Sequence, residues 1–277
     1  MDRPPPVITL TTDFGLADHY VASLKGVILS INPLAVILDV THEVRPQRIE
    51  QAAFLLGVTL PYLPPGAIHV VVVDPGVGTE RRALAISTPR CLFVGPDNGV
   101  LSPALPGEAR PTAGAGFEAR ETSLPASFRA VEIRERDYMR EPVSNTFHGR
   151  DIFAPAAAHL SLGVSLERLG PPVERVLALP AFRAPRRPDG VLAARVVHVD
   201  RYGNLITDVR AEDLPPGEIA VDVRGHIVSG PARTFAEGPD LMAVVGGSGY
   251  LGVALKNGSA AALLGVDVGD GVLVRPA

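Results

Sequence analysis

The sequence has little of what marks a secreted, membrane-spanning or nucleic-acid-binding protein. Among its 277 residues there is one cysteine, Cys91, which cannot form an internal disulfide or a cysteine metal cluster. Lysine and arginine (26) do not outnumber aspartate and glutamate (30), and the formal net charge is −4, whereas nucleic-acid-binding domains usually carry a basic excess. No apolar run approaches the roughly 18 residues of a membrane span, and residues 1–6 lack the apolar core of a signal peptide. We therefore expect a cytoplasmic protein that binds neither nucleic acid nor membranes.

What the sequence does contain is enough apolar material for a folded core and many residues that favour turns. Apolar residues make up 46% of the chain and charged residues 20%, a balance that is typical of globular domains rather than of disordered chains. The 28 glycines and 27 prolines predict many turns and few long helices.

The first two-thirds of the chain alternates strand and helix patterns. Apolar, β-branched runs predict strands at Val7–Thr12, Ala35–Val40, Ile68–Val73, Leu84–Ile86 and Leu92–Val94. Helical spacing of apolar residues predicts helices at Val21–Ile31, Ile49–Leu60 and Ile152–Leu162. We interpret Ala35–Val40 as a buried strand and Pro106–Arg129 as a loop. The alternation indicates an α/β domain with a mainly parallel central sheet.

The last third has a different pattern, which predicts a second domain. Pro180–Gly190 contains three prolines and three arginines and is our candidate linker. After it come short strand candidates separated by turns: Leu192–Val199, Ile219–Val223, Leu241–Val245, Tyr250–Leu255 and Val272–Val274. This pattern favours a smaller, all-β, barrel-like C-terminal domain. We place the N-terminal domain at 1–182, the linker at about 183–190 and the C-terminal domain at 191–277.

Three strings imitate well-known motifs but lack the context that those motifs need. Asp13-Phe14-Gly15 matches the kinase magnesium motif without a Gly-rich loop or a catalytic loop elsewhere. Gly247–Gly252 satisfies the dinucleotide-binding pattern but lies too near the C-terminus for a complete βαβ unit. Gly76–Thr79 is not followed by the Gly-Lys-Ser/Thr of a phosphate loop. A kinase or a dinucleotide-dependent enzyme is thus disfavoured.

Polar residues at the ends of predicted strands are better candidates for a site. Asp13 follows the first strand, and Asp74 follows Ile68–Val73 in a turn with two glycines. Ligands of α/β sheets bind beyond the carboxyl ends of the strands. A third string, Asn145–Asp151, holds a histidine, an arginine and an aspartate before an apolar helix. Each string also has a structural interpretation, since Asp74 can cap a turn and Asp151 can cap a helix.

No metal site is predicted. Metal-ligand spacing is absent among His42, His69, His159, His198 and His226.

Five strings together resemble one protein family. They are Thr11–Gly15, Asp74–Thr79, Pro96–Gly99, Thr146–Asp151 and Gly249–Leu251, in this order. The pattern is similar to that of the S-adenosyl-L-methionine (SAM) hydroxide adenosyltransferases, also called adenosine-forming SAM hydrolases, which are relatives of the fluorinase and chlorinase enzymes. The resemblance extends from about Ile8 to Val274, although the stretch 108–140 does not align with the family.

The resemblance implies an N-terminal α/β domain, a C-terminal β-barrel and a homotrimer. SAM would bind at subunit interfaces, between the N-terminal domain of one subunit and the C-terminal domain of its neighbour. SAM is then the substrate, and no cofactor is expected. The reaction is in-line attack of water or hydroxide on the ribose 5′ carbon, which gives adenosine and methionine.

The resemblance also assigns roles to residues. It carries the family's Asp–Arg–His triad to Asp74, Arg81 and His148. It makes Asp13 the ribose-binding carboxylate and Asp18 a contact to the methionine moiety. The remaining substrate contacts that it implies are Phe147, Asp200, Asn204, Ser248 and Tyr250. A carboxylate suits the ribose because it can accept hydrogen bonds from both hydroxyl groups.

Two alternatives remain. A halogenase is disfavoured because the halogenases carry tyrosine where Asp74 stands, and an anionic carboxylate would repel a halide. A non-catalytic sensor that binds SAM or adenosine would use the same pocket, but binding alone does not require a triad. How Asp74, Arg81 and His148 divide the work of holding and deprotonating water stays open at this point.

Overall fold

A computed structural model describes residues 5–112 and 117–277 of the chain. The chain forms two compact units, Met1–Ala181 and Phe182–Ala277. Residues 183–190, the predicted linker, hydrogen-bond to the second unit: Ala184 N donates to Asp208 O (2.9 Å) and Arg187 N to Val191 O (2.8 Å). The limits 1–182 and 191–277 stay a prediction.

The first unit is built on a six-stranded mixed sheet. Its strands and those of a small two-stranded sheet are β1 Val7–Thr12, β2 Val36–Thr41, β3 Ile68–Val72, β4 Ala83–Ser87, β5 Leu92–Pro96, β6 Arg120–Ser123, β7 Arg129–Glu132 and β8 Arg175–Ala178. The large sheet has the order β2-β1-β3-β5-β4-β7, and β6 pairs with β8. Strands β1, β2, β3 and β5 are parallel, β4 is antiparallel to β5, and β7 is antiparallel to β4. Five of the six strands therefore share one direction.

Helices cover both faces of this sheet because its central strands are apolar on both sides. The α-helices are α1 Tyr20–Ile31, α2 Ile49–Thr59 and α3 Ala154–Ser161. All five residues of β3 are buried. Leu24 of α1 and the alanines of α3 share one core with Leu10, whereas Leu56 of α2 shares the other with Val71. This layered arrangement is typical of α/β domains.

Three expectations about the first unit need correction. Strand β2 is not buried: it is an edge strand with a single neighbour, and Val36 and Leu38 are 46% and 40% exposed. The stretch 106–129 is not all loop, since it contains β6, although residues 113–116 lie outside the described part. The helix predicted at 152–162 begins earlier, as a π-helical turn at Gly149–Phe153 that leads into α3.

The second unit is a seven-stranded antiparallel sheet that curls toward closure. Its elements are β9 Leu192–Val199, β10 Leu205–Arg210, β11 Ile219–Val223, β12 His226–Gly230, β13 Leu241–Val245, β14 Tyr250–Leu255, α4 Ala260–Leu264 and β15 Gly271–Pro276. The order is β12-β11-β15-β9-β10-β14-β13. Beyond β12, Ala232 N donates to Ala243 O of β13 (2.8 Å), so the two edges nearly meet. The predicted fold class is confirmed, but the sequence patterns missed β10, β12 and α4.

Candidate active site

Two carboxylates meet at one edge of the sheet because two adjacent parallel strands end there. Thr12 of β1 is paired with Val72 of β3, so Asp13 and Asp74 follow the ends of neighbouring strands. A cavity of about 240 Å³ opens at this edge. Its lining residues are Asp13, Phe14, Gln47, Val72, Asp74, Pro75, Val77, Thr146, Phe147, His148 and Gly149. The edge is where ligands of α/β sheets bind.

Asp74 and Arg81 form a buried ion pair beside this cavity. Arg81 Nε lies 3.0 Å from both carboxylate oxygens of Asp74, and Nη2 lies 2.5 Å from Oδ2. The two side chains are only 6% and 10% exposed. The turn that joins them is tight, since Val77 N donates to Asp74 O (3.1 Å) and Thr79 Oγ1 donates to Gly76 O (2.7 Å). A charge-assisted fork of this kind holds both groups in one geometry.

His148 completes the group through a bond to the same arginine. Arg81 Nη2 lies 2.6 Å from His148 Nδ1. A guanidinium only donates, so Nδ1 is the acceptor and the proton of the neutral ring is on Nε2. Burial and the Arg81 charge lower the pKa of His148 below its ordinary value, against the opposing charges of Asp74 and Asp151. His148 is therefore a neutral imidazole near pH 7.

The loops that carry these side chains approach one another closely. Gly78 has φ +79°, and a Cβ there would overlap the carbonyl oxygen of Asn145. A Cβ on Gly149 would lie 3.3 Å from Val72 Cγ1. Glycine at these positions lets the Asp74–Arg81 turn and the π-helical turn bring the triad together.

Asp13 lies in the cavity on a turn that other loops support. Its Oδ2 accepts a hydrogen bond from Gln47 N (2.8 Å). Burial raises the pKa of Asp13, backbone hydrogen bonds including that of Gln47 oppose the rise, and the Asp74 charge adds to it. Gln47 has φ +66°. No motif or periodicity in the sequence marked it as a residue of the site.

Aromatic rings form one wall of the site. Phe147 is 9% exposed and makes edge-to-face contacts with Phe14 (centroids 5.8 Å apart) and Tyr20 (5.3 Å). The Arg150 guanidinium lies 4.9 Å from the centre of the Phe147 ring. Phe147 thus presents a fixed apolar surface to the cavity, and its contact with substrate stays a prediction. Tyr20 was not foreseen, since its place at the start of α1 carries no motif.

Not every predicted residue lies at this cavity. Asp18 is exposed in the loop before α1 and is not among the lining residues. Asp97 of the Pro96–Gly99 string is 6% exposed and accepts hydrogen bonds from Arg82 Nε (2.9 Å) and Leu177 N (2.8 Å). That string braces β5 against its neighbours rather than lining the site.

The remaining predicted contacts belong to the second unit. Asp200 Oδ1 accepts from Asn204 N (2.9 Å) and Oδ2 from Asn204 Nδ2 (2.8 Å), which closes a turn between β9 and β10. Ser248 is exposed in the turn before β14, whereas Tyr250 is 9% exposed and donates its hydroxyl to Phe182 O (3.3 Å). The Tyr250 side chain therefore has a structural partner within its own unit.

The described residues offer neither a metal centre nor a membrane-crossing helix. Within residues 5–112 and 117–277, no cluster of three or more His, Cys, Asp or Glu side chains could hold a metal ion. In the same ranges, no helix combines the length and the apolar character that a membrane crossing needs.

Comparisons with known proteins show which family the chain resembles along its length. The profile of the SAM hydroxide adenosyltransferase N-terminal domain matches residues 8–170, and that of the C-terminal domain matches residues 194–273. The (R)-S-adenosyl-L-methionine hydrolase of Salinispora arenicola is 42% identical over 272 residues, which cover 96% of both chains. A fluorinase from Actinoplanes sp. is 28% identical over 83% of this chain and 80% of its own. A crystal structure of an uncharacterized conserved protein from Thermotoga maritima has a TM-score of 0.83 and 33% identity, covering 96% of this chain and 99% of that one. The chain belongs to the SAM hydroxide adenosyltransferase family.

Proposed function

We propose that this protein hydrolyses SAM to adenosine and L-methionine. Water attacks the ribose 5′ carbon, a C5′–O bond forms, and the C5′–S bond breaks with its electron pair going to sulfur. The sulfonium becomes a neutral thioether, so the leaving group needs no general acid. One proton is released for each SAM consumed, and the protein's task is to place and activate the water.

The observation that carries the proposal is the Asp74–Arg81–His148 group beside Asp13 at the strand ends. Asp74 and Arg81 are both close to fully buried, so their charges act through little solvent. His148 offers an Nε2–H donor, because Nδ1 is occupied by Arg81. We assign water orientation to His148 and proton acceptance to Asp74, while Arg81 holds both side chains in place through its bonds to them. Asp13 would hold the ribose hydroxyls.

The same group argues against a halide as the nucleophile. A halide pocket favours neutral hydrogen-bond donors, but Asp74 contributes a carboxylate to this cavity. The charge of Arg81 is already paired with that carboxylate. The cavity is therefore better suited to water, which can donate a hydrogen bond to Asp74, than to an anion.

The proposal predicts the products and the source of the new oxygen. Incubation with SAM should release adenosine and methionine in equal amounts, with no dependence on chloride or fluoride. In water enriched in ¹⁸O the label should enter the adenosine 5′-hydroxyl. If the sulfonium preference matches the name of the Salinispora relative, the (R) epimer of SAM should be consumed first. Unchanged SAM in the presence of folded protein would refute the function.

We also propose that SAM is the only small molecule needed and that the working form is a homotrimer in the cytoplasm. The cavity of about 240 Å³ is below the roughly 300–1,000 Å³ of drug-sized ligand pockets, so further walls are needed around a molecule such as SAM. Asp200, Asn204, Ser248 and Tyr250 of a neighbouring subunit are the proposed source of those walls. Light scattering tests the oligomeric state.

A further inference from the structure

One buried histidine outside the cavity is bonded to the residues on both sides of Asp13. His42, at the end of β2, is 4% exposed. Its carbonyl oxygen accepts from Gly15 N (2.7 Å), and its Nδ1 lies 2.9 Å from Thr12 Oγ1. That same hydroxyl oxygen accepts from Phe14 N (3.3 Å). His42 thus contacts Thr12 and Gly15 directly, and it reaches Phe14 through the Thr12 hydroxyl.

The contacts continue from His42 to the protein surface. His42 Nε2 lies 3.1 Å from Asp39 Oδ1, in a contact whose angles fall short of a hydrogen bond. Lys25 Nζ donates to Asp39 Oδ2 at 2.6 Å. Burial raises the pKa of Asp39, but the contacts with Lys25 and His42 outweigh it and hold that pKa below its ordinary value. Asp39 is therefore a carboxylate, which only accepts hydrogen bonds.

Because the Asp39 carboxylate can only accept, it determines which atom donates in each of the contacts that follow along the chain. A ring proton on Nε2 faces Asp39 Oδ1 at 3.1 Å, and Nδ1 then accepts from the Thr12 hydroxyl. With its proton directed to His42, the Thr12 oxygen turns a lone pair toward Phe14 N–H. The peptide between Asp13 and Phe14 is thereby fixed, and with it the direction in which the Asp13 carboxylate leaves the backbone.

We propose that Thr12 and His42, oriented by Asp39, are positioning residues that aim the Asp13 carboxylate at the substrate ribose. The inference rests on the proposed function, because it gives Asp13 the ribose as its partner. In the loop that follows His42, Gln47 N donates to Asp13 Oδ2 (2.8 Å). One segment therefore holds both the backbone turn around Asp13 and its carboxylate. None of the three positioning side chains lines the cavity.

The chain contains a matched control for the test. Thr9 Oγ1, also in β1, lies 2.8 Å from Nδ1 of a second buried histidine, His69. Burial lowers the pKa of His69 to about 4, so this ring is neutral at pH 7, and its Nδ1 is bonded to a threonine hydroxyl as that of His42 is. Thr9 is three residues from Thr12, away from Asp13. Thr9→Val and Thr12→Val thus remove equivalent buried bonds from one strand.

The test compares steady-state constants for SAM and the affinity for adenosine. Thr12→Val should raise KM for SAM and Kd for adenosine about five- to tenfold while kcat stays within about twofold, since a buried bond of this kind is lost. Thr12→Ser should restore both constants, because it keeps the hydroxyl. Thr9→Val should leave them at wild-type values. Asp39→Asn, a change at the exposed end, should raise KM about threefold and gives the decisive measurement if Thr12→Val does not fold.

The outcomes that overturn the inference differ from those that overturn the function. Equal constants for Thr12→Val and Thr9→Val, or a loss in kcat as large as the change in KM, would refute the positioning role while leaving SAM hydrolysis intact. If the wild type releases no adenosine, the proposed function fails, and amide hydrogen exchange then decides the inference. Faster exchange at Phe14 and Gly15 in Thr12→Val than in Thr9→Val supports it, and equal exchange overturns it.

Discussion

At the scale of single residues, the arginine of the triad explains the state of the other two. Arg81 donates to both Asp74 and His148, so it balances one carboxylate and blocks Nδ1 of the imidazole. His148 is left with one free function, the Nε2–H donor. A neutral histidine held in this way is suited to orienting water, and the acceptor for the water proton must then be a carboxylate. Asp74 is the carboxylate in contact with the same arginine.

This division of roles predicts different kinetic effects for two aspartates that look alike. Asp74→Asn should lower kcat about 10²- to 10⁴-fold and change KM little, since it removes an acceptor used in the transition state. Asp13→Asn should instead raise KM, because it weakens the hold on the ribose. Steady-state kinetics with SAM measures both.

A matched control is the neighbouring ion pair. Arg82 and Asp97 also form an arginine–aspartate pair, with Nε 2.9 Å from Oδ2, but Asp97 is outside the cavity. Asp97→Asn should destabilise the fold and leave kcat nearly unchanged. Comparable losses of kcat in Asp74→Asn and Asp97→Asn would mean that Asp74 acts through the fold alone.

At the scale of elements, the site depends on how closely three turns approach. They are the turn after β1, the turn after β3 and the turn that leads into the π-helical segment before α3. Gly78 lies where the second turn meets the third, against Asn145. The positive φ of this residue favours glycine, and the missing side chain makes room for the neighbouring loop.

A comparison of two glycines with the same φ distinguishes the cost of that backbone angle from the effect of the close approach. Gly78 and Gly66 have φ +79° and +80°, but a Cβ on Gly66 would meet nothing within 4 Å. Both Gly→Ala changes should cost about 1–2 kcal/mol from the backbone angle. Gly78→Ala should in addition lower kcat more than tenfold, because it pushes the Asp74–Arg81 turn away from His148. Chemical denaturation measures the loss of stability, and steady-state kinetics measures the loss of kcat. Equal kcat values for the two variants would contradict this account.

At the scale of the whole molecule, the predicted contacts are divided between two units. The triad and Asp13 belong to the first, and the Asp200–Asn204 turn belongs to the second. We propose that a complete site combines the first unit of one subunit with the second unit of its neighbour. A site shared between subunits can be rebuilt from two defective chains, whereas a site within one chain cannot.

Co-expression of two inactive variants tests this. Asp74→Asn damages the first unit and Asp200→Asn with Asn204→Ala damages the second. Mixed trimers purified through two different affinity tags should contain one intact site in three and recover about a third of wild-type activity. Asp74→Asn paired with His148→Ala, both in the first unit, should recover none. Mixed trimers of the first pair that stay inactive would rule out a shared site.

Much of the fold was predictable because the signals are local. Apolar runs located β1, β3 and β9, and helical spacing located α1 and α2, since each pattern is read within a few residues. The missed strands β10 and β12 are short and mixed in character, LITDVR and HIVSG, and they are strands because neighbours on the sheet hydrogen-bond to them. The exposure of β2 depends on strand order, which periodicity does not contain.

By itself the sequence determined the family, the two-part architecture and the candidates Asp13, Asp74, Arg81 and His148, because motif letters and their order are properties of the chain alone. Only the tertiary structure decided that Arg81 joins Asp74 to His148, that Gln47 holds Asp13 and that Thr12 is bonded to His42. These contacts link residues 7 to 67 positions apart, and their distances follow from strand pairing and from glycines that let turns approach. Hydrogen bonds need partners within about 3 Å, a condition that only the folded chain can meet.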